Sequence, residues 1–155
     1  MRRFAFFSIS AILVACGKSE IQPTRDTTAV APAASESRAA MSLADVAGKW
    51  RLRTTDEAGG NVVVSELTAT ADTSGWTLTR PDGKTVPVRV LAVGGDSIVT
   101  QAGPYQSALR KGIPVRTRMV LRLQEGKLVG TTEARYSMSG GDSVAQRPTE
   151  GARAP

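Results

Sequence analysis

The sequence lacks histidine altogether and has a single cysteine, Cys16, among its 155 residues. Without histidine there is no Ser–His or Cys–His pair for nucleophilic catalysis. Without a second cysteine the chain forms no internal disulfide and no CxxC redox or zinc pattern. The acidic residues form no cluster with metal-ligand spacing. We therefore expect no catalytic residues, no metal and no cofactor, although the composition leaves a Ser–Lys dyad open.

Aromatic residues are also scarce, at 5% of the chain, and the 20 basic residues do not cluster. Nucleic-acid-binding domains carry basic patches interleaved with aromatic groups. Nucleic acid is therefore not an expected partner. The glycine pairs fall between predicted strands and not ahead of a helix, which argues against a phosphate-binding loop. These pairs are Gly59-Gly60, Gly94-Gly95 and Gly140-Gly141.

The first fifteen residues have the parts of an export signal. Arg2 and Arg3 supply positive charge, and residues 4–14 form an apolar run broken only by two serines. This run is shorter than the roughly 20 apolar residues of a membrane-spanning helix, and it suits a signal peptide that is removed after export. The sequence Leu13-Val14-Ala15-Cys16 at its end closely resembles the lipobox of bacterial lipoproteins.

The lipobox resemblance implies that residues 1–15 are cleaved off and that Cys16 carries a thioether-linked diacylglycerol. Further acylation of the new amino terminus suits stable anchoring, because one acyl chain binds a membrane only marginally. Gly17 and Lys18 follow the cysteine without an adjacent Asp. Similarity to enterobacterial lipoproteins then implies an outer-membrane location facing the periplasm. The alternative is an ordinary secreted protein with a chance cysteine near its cleavage site.

Residues 16–41 are rich in Ala, Ser, Thr and Pro and have few large apolar groups. Such a segment buries too little surface to offset its ordering entropy, so we expect a flexible tether after the lipidated cysteine. A local helix over residues 36–44 is the alternative. The folded domain is expected over residues 42–147. Residues 148–155, with two prolines and a glycine, are expected to be a disordered tail.

From Gly48 onward, short runs of alternating apolar and polar residues are separated by turn residues, which is typical of an all-β domain. The alternation is clearest over residues 115–124, where four arginine or glutamine side chains share one face. Seven or eight strands joined by hairpin-length loops predict a single antiparallel up-and-down barrel. Ten side chains are expected to face its interior: Val63, Leu67, Trp76, Leu78, Val86, Val88, Val90, Met119, Leu121 and Leu128.

A predicted helical turn precedes Gly48-Lys49-Trp50, which opens the first strand. This segment resembles the Gly-x-Trp opening of lipocalins and related calycins. The resemblance implies that a short helix closes one barrel end. It also implies that the tryptophan packs beneath that helix against a basic side chain from a late strand, either Arg135 or Arg147. Trp76, just after a turn, is expected nearer the rim. The alternative is that Trp50 plugs the end of a small barrel unrelated to lipocalins.

One connection, residues 102–114, is longer than the others. Gly103-Pro104 begins it, and Gly112 and Pro114 mark its end. Long loops in compact domains are often functional, and this one offers four candidate residues for ligand or partner contacts. They are Tyr105, Leu109, Arg110 and Lys111. The alternative is a helical turn whose apolar side chains only cap the barrel.

Two functions remain open at this point. A lipocalin-like barrel would bind a small apolar ligand in its interior, whereas a filled barrel would serve as a rigid platform that contacts or inhibits another envelope protein. Eight strands leave room for either packed side chains or one small ligand. The bore of the barrel therefore separates the two hypotheses. In both, we expect a monomer attached to a membrane through lipid on Cys16.

Overall fold

The computed structural model describes residues 40–56 and 58–155. The expected signal peptide, the lipidation site Cys16 and the tether through residue 39 lie outside the described residues. Within them, one short helix precedes eight strands. These elements are α1 (Leu43–Val46), β1 (Gly48–Thr55), β2 (Val62–Ala69), β3 (Thr77–Thr79), β4 (Thr85–Gly94), β5 (Ser97–Gln106), β6 (Pro114–Gln124), β7 (Lys127–Tyr136) and β8 (Ser143–Arg153).

The strands form a closed antiparallel barrel in chain order, and β8 pairs with β1 to complete it. This arrangement confirms the predicted up-and-down barrel. The connections alternate between two ends. One end carries α1 and the β2–β3, β4–β5 and β6–β7 connections, and we call it the closed end because α1 covers it. The other, which we call the open end, carries the β1–β2, β3–β4, β5–β6 and β7–β8 connections. No helix within the described ranges is long and apolar enough to cross a membrane.

Alternation of side chains separates a buried interior from a polar exterior. On β6, Val115, Thr117 and Met119 are buried, while Arg116 and Arg118 between them are exposed. Successive residues of a strand point to opposite faces, so this pattern places the arginines outside the barrel. All ten predicted interior side chains face inward, as buried core residues, as partly buried residues packed against the core, or, for Val63, in the lining of an interior cavity.

The closed end is sealed by α1 and Trp50. Ser42 and Asp45 form a capping box that satisfies backbone N–H groups at the start of the helix. Trp50 has no exposed surface, and its Nε1–H donates to the Val46 carbonyl over 2.7 Å. The Trp76 side chain is also buried, at 3% exposure. Trp76 directly precedes β3, and its Nε1–H donates to the Asp72 carbonyl over 2.8 Å. The expected rim position, with part of the side chain exposed, is therefore wrong.

The basic partner of Trp50 is Arg153, and not Arg135 or Arg147 as predicted. Strand pairing sets Arg153 directly opposite Trp50, with its guanidinium carbon 4.4 Å from the Trp50 ring centroid. Arg135 is exposed on the outer face of β7, and Arg147 lies six residues from Arg153 along β8, towards the open end. Long-range register, which the sequence does not display, decides between these arginines.

The predicted tail, residues 148–155, is instead largely part of β8. Residues Thr149 to Arg153 pair with β1, and residues Ser143 to Gly151 pair with β7. Pro148 lies just before the segment that pairs with β1, a position where a missing N–H is tolerated. The folded domain therefore extends at least to Arg153, well beyond the predicted boundary at residue 147.

The predicted long connection over residues 102–114 is shorter than expected. The chain bulges at Gly103-Pro104, where Gly103 adopts a φ of 99°, and then resumes pairing at Tyr105 opposite Val115. Proline has no N–H for the ladder, so a two-residue bulge is accommodated at this point without ending the strand. Only residues 107–113 connect β5 to β6.

Candidate functional site

A cavity of about 70 Å³ lies inside the open end of the barrel. The closed end beneath it is filled by the large side chains of the core. Leu52, Leu78 and Met119 form part of the apolar wall of the cavity, and Tyr136 and Arg147 add polar groups. The barrel is thus packed at one end and leaves space at the other. A small number of polar groups in an apolar concavity is typical of ligand sites.

Two arginines line this cavity, Arg80 and Arg147, and Arg147 has the larger number of unpartnered nitrogens. It lies on the inward face of β8 and is 7% exposed. Its Nη2 donates to the Tyr136 hydroxyl over 3.2 Å, whereas its Nε and Nη1 atoms have no hydrogen-bond partner among the described residues. A buried donor without an acceptor costs roughly 1–3 kcal/mol, and more when it is charged. Arg147 therefore has unmet capacity to donate hydrogen bonds inside the barrel.

Asp56, at the β1–β2 connection, lies near enough to Arg147 to feel its charge. Its carboxylate accepts hydrogen bonds from the Asn61 side chain at 2.6 Å and from the Gly60 N–H at 2.9 Å. The hydrogen bonds from Asn61 are the main cause that holds the Asp56 pKa below its ordinary value, and the charge of Arg147 adds a smaller effect. Asp56 is thus held by its own turn and forms no ion pair with Arg147.

Tyr136 is fixed between two arginines. Its hydroxyl accepts from Arg147, as described above, and Arg110 lies over its ring with the guanidinium carbon 4.1 Å from the centroid. Arg110 Nη1 also donates to Ser143 Oγ over 3.2 Å. Tyr136 is 1% exposed. Through its contacts with Tyr136 and Ser143, Arg110 joins the β5–β6 connection to the end of β7 and the start of β8 beside the cavity.

A second arginine–tyrosine pair borders the same cavity. Arg80, at the end of β3, lies 4.8 Å from the Tyr105 ring centroid, donates to the Gln106 carbonyl over 2.5 Å and pairs with Asp82 at 3.2 Å. The Tyr105 hydroxyl shares a hydrogen bond of 3.1 Å with Thr117. Burial raises the pKa of Tyr105 above its ordinary value, against smaller opposing effects of Thr117 and Arg80.

Three threonine hydroxyls at the cavity bond to one another. Thr149 shares hydrogen bonds with Thr132 at 2.7 Å and with Thr54 at 3.1 Å, and Thr54 and Thr132 line the cavity. All three are at least partly buried. Among the described residues, the buried side-chain atoms without a partner are Arg80 Nε, Thr100 Oγ1 and two nitrogens of Arg147.

The structure brings three of the four predicted contact residues to the cavity region and leaves one outside. Tyr105 and Leu109 line the cavity, although Tyr105 belongs to β5 and not to a loop. Arg110 stacks on a cavity-lining ring. Lys111 is exposed and borders a second, more open pocket between the β3–β4 and β5–β6 connections, which shares four lining residues with the cavity.

Sequence reasoning missed Arg147, Tyr136 and Arg80 as cavity residues. A signal for Arg147 was present, since Ala145, Arg147 and Thr149 share one face of a strand in which Val144 and Gln146 point outward. Pro148 directly follows Arg147 and, as a residue without an N–H, favours the end of a strand at this point, which masks the alternation.

Among residues 40–56 and 58–155, no group of three acidic, histidine or cysteine side chains is placed to hold a metal ion. The interior instead offers positive charge and N–H donors beside apolar walls. Comparison with protein-family models, curated proteins and solved structures found no match to this chain.

Proposed function

We propose that this chain is a membrane-anchored envelope lipoprotein whose lipocalin-like barrel binds one small, largely apolar molecule. The observation that carries the proposal is the cavity of about 70 Å³ inside the open end. It lies above a packed core, most of its wall belongs to the sheet, and residues 80–81 and 107–109 of two connections complete it. Because strands form most of the wall, a ligand would enter the cavity without reorganising the barrel.

The size of the cavity limits its occupant. About 70 Å³ is less than half of an engineered cavity of roughly 150 Å³ that holds benzene. The ligand, or the part of it that is enclosed, is therefore limited to a few non-hydrogen atoms. A large lipid or pigment does not fit without displacing core side chains.

The anchoring part of the proposal rests on Leu13-Val14-Ala15-Cys16. Changing Cys16→Ser removes the sulfur that would carry the diacylglycerol. We expect the variant to fold normally and to leave the membrane fraction after a high-salt wash, while the wild-type chain remains. Sedimentation of the Cys16→Ser variant with membranes would contradict the lipoprotein assignment. The same fractionation on separated inner and outer membranes tests the outer-membrane location.

Ligand binding is tested with dissolved xenon, which probes small apolar cavities. In amide and methyl NMR spectra of residues 16–155 carrying Cys16→Ser, xenon should shift signals of Leu52, Leu78 and Met119. Ala134→Val adds two methyl groups to the cavity wall and should reduce those shifts. The matched control is Ala145→Val, because Ala145 is paired with Ala134 across β7 and β8 and is equally buried but does not line the cavity.

A second candidate is a platform that contacts or inhibits another envelope protein. It is favoured by the fixed shape of the β5–β6 connection, in which Ser107 Oγ accepts the N–H groups of Leu109 at 3.1 Å and Arg110 at 2.9 Å. This connection presents the exposed Lys111 outward. Loss of a partner contact in Lys111→Glu, with unchanged xenon shifts, would favour the platform. Absence of xenon shifts in the wild-type chain would contradict the ligand function.

A further inference from the structure

We infer that the molecule held by the cavity is a short-chain carboxylic acid, whose carboxylate binds Arg147 and whose alkyl group lies against the apolar wall. The inference rests on the proposed ligand-binding function, which it makes chemically specific. It is carried by three observations: the unpartnered donors of Arg147, the charge balance of the open end, and the apolar side chains that form part of the wall.

The donors of Arg147 indicate an anionic group. Arg147 is only 7% exposed, so its charge is largely desolvated, and a buried charge is tolerated when it is paired and hydrogen-bonded. In the described structure its partner is the Tyr136 hydroxyl, and two of its three guanidinium nitrogens have no partner. Arginine and carboxylate form short, charge-assisted hydrogen bonds with complementary planar shapes. A bound carboxylate would therefore complete this site.

The charges around the open end leave Arg147 without an acid from the described chain. Arg80 pairs with Asp82 at 3.2 Å, and Asp56 is held by Asn61 and Gly60. The charge of Arg110, stacked on Tyr136, adds to the positive potential. This positive potential attracts an anion into the open end of the barrel.

The remainder of the wall distinguishes a carboxylate from other anions. Leu52, Leu78 and Met119 lie along the cavity and supply no hydrogen-bond donors. The threonine hydroxyls in the same wall are already hydrogen-bonded, Thr117 to Tyr105 and Thr54 and Thr132 to Thr149. Phosphate or sulfate would turn polar oxygens towards these side chains, and burying a polar group without a partner is unfavourable. A short carboxylic acid has one polar end and one apolar end, as the cavity does. At about 70 Å³, the cavity would enclose the carboxylate and the first carbons of such an acid.

The inference is tested by titrating propionate and butyrate into residues 16–155 carrying Cys16→Ser, with NMR detection of the Arg147 Nε–H signal. We expect saturable shifts of that signal with either acid. Butyramide, a neutral molecule of the same shape, and inorganic phosphate should bind at least tenfold more weakly. Equal binding of butyramide or phosphate would overturn the assignment of a carboxylate.

Variants at two arginines locate the site. Arg147→Met keeps the length of the side chain and removes its charge, and it should weaken butyrate binding at least tenfold. Arg116→Met is the matched control, since Arg116 is exposed on the outer face of β6, and it should leave binding unchanged. Unchanged butyrate binding in a folded Arg147→Met variant would overturn the inference. If that variant does not fold, the wild-type Nε–H titration alone decides.

The xenon experiment distinguishes failure of the proposed ligand binding from failure of the carboxylic-acid inference. Xenon shifts at the cavity without any response to butyrate would leave the ligand-binding function standing and overturn the carboxylic acid. Absence of both responses would overturn the proposed function together with this inference.

Discussion

Arg153, in the last strand, lies across the indole ring of Trp50, in the first strand, at 4.4 Å from its centroid. The same guanidinium donates to the Ala47 carbonyl at 2.9 Å and to the Asp45 carbonyl at 2.8 Å. A single side chain thereby joins both ends of the sheet to α1. Gly48 makes this approach possible, because it has a φ of 127° and a Cβ there would lie 2.9 Å from Arg153 Nη1.

The first prediction concerns the two tryptophans. Trp50→Ala should lower the free energy of unfolding by about 3–5 kcal/mol, as expected for loss of a buried aromatic side chain. Trp76→Ala should also be strongly destabilising but less so, because Trp76 is not stacked by Arg153. Denaturant titration of both variants measures the difference. A nearly neutral Trp50→Ala would show that the barrel does not close over this residue.

The second prediction isolates Arg153. Arg153→Met should lower the free energy of unfolding by about 1–3 kcal/mol, since hydrogen bonds from charged groups contribute roughly 1.5–3 kcal/mol and an exposed cation–π contact about 0.5–1 kcal/mol. The control is Arg51→Met, because Arg51 is exposed on the outer face of β1. Thermal denaturation should show a clear loss for Arg153→Met and almost none for Arg51→Met. Equal losses would mean that both substitutions act through the loss of a positive charge, and not through the contacts of Arg153.

The third prediction concerns the end of the domain. A chain ending at residue 147 should lose cooperative unfolding, because it lacks the part of β8 that pairs with β1. A chain of residues 40–155 should fold and unfold cooperatively. Circular dichroism during a thermal melt compares the two. A cooperative melt of the shorter chain would indicate that the barrel does not need closure by residues 149–153.

The fourth prediction concerns pH. Because burial raises the pKa of Tyr105 in the folded state, its neutral form contributes stability that is complete below the unfolded value near 10. That contribution is lost as the pH rises through the higher folded value. The free energy of unfolding should therefore fall above about pH 10 more steeply in the wild-type chain than in Tyr105→Phe. Parallel pH profiles would contradict a buried, neutral Tyr105.

Local patterns predict the wall of this barrel, and long-range pairing decides what fills it. The alternation from Val115 to Leu121 and the turn residues between strands are local signals, so the strand count and the inward faces follow from the sequence. Pro104 and Pro148 are local signals for a strand end that neighbouring strands override by pairing on either side of them. The sequence alone did not show that β8 continues beyond Pro148 to pair with β1.

The candidate site was predictable only in part for the same reason. Tyr105 and Leu109 were recognised from the composition of one connection. Arg147 was recognised as a possible partner of Trp50 and not as a cavity residue, because its position relative to both barrel ends depends on the register of β8. The volume of the cavity depends on the packing of side chains from many strands and has no local signature.

The most direct test of the ligand site is a crystal structure of residues 40–155 under xenon pressure. We expect anomalous density for xenon inside the open end, bounded by Leu52, Leu78 and Met119, with the packed core below it unchanged. Xenon bound only elsewhere, or a continuous core with no interior density at this end, would contradict the claim that the barrel holds a ligand.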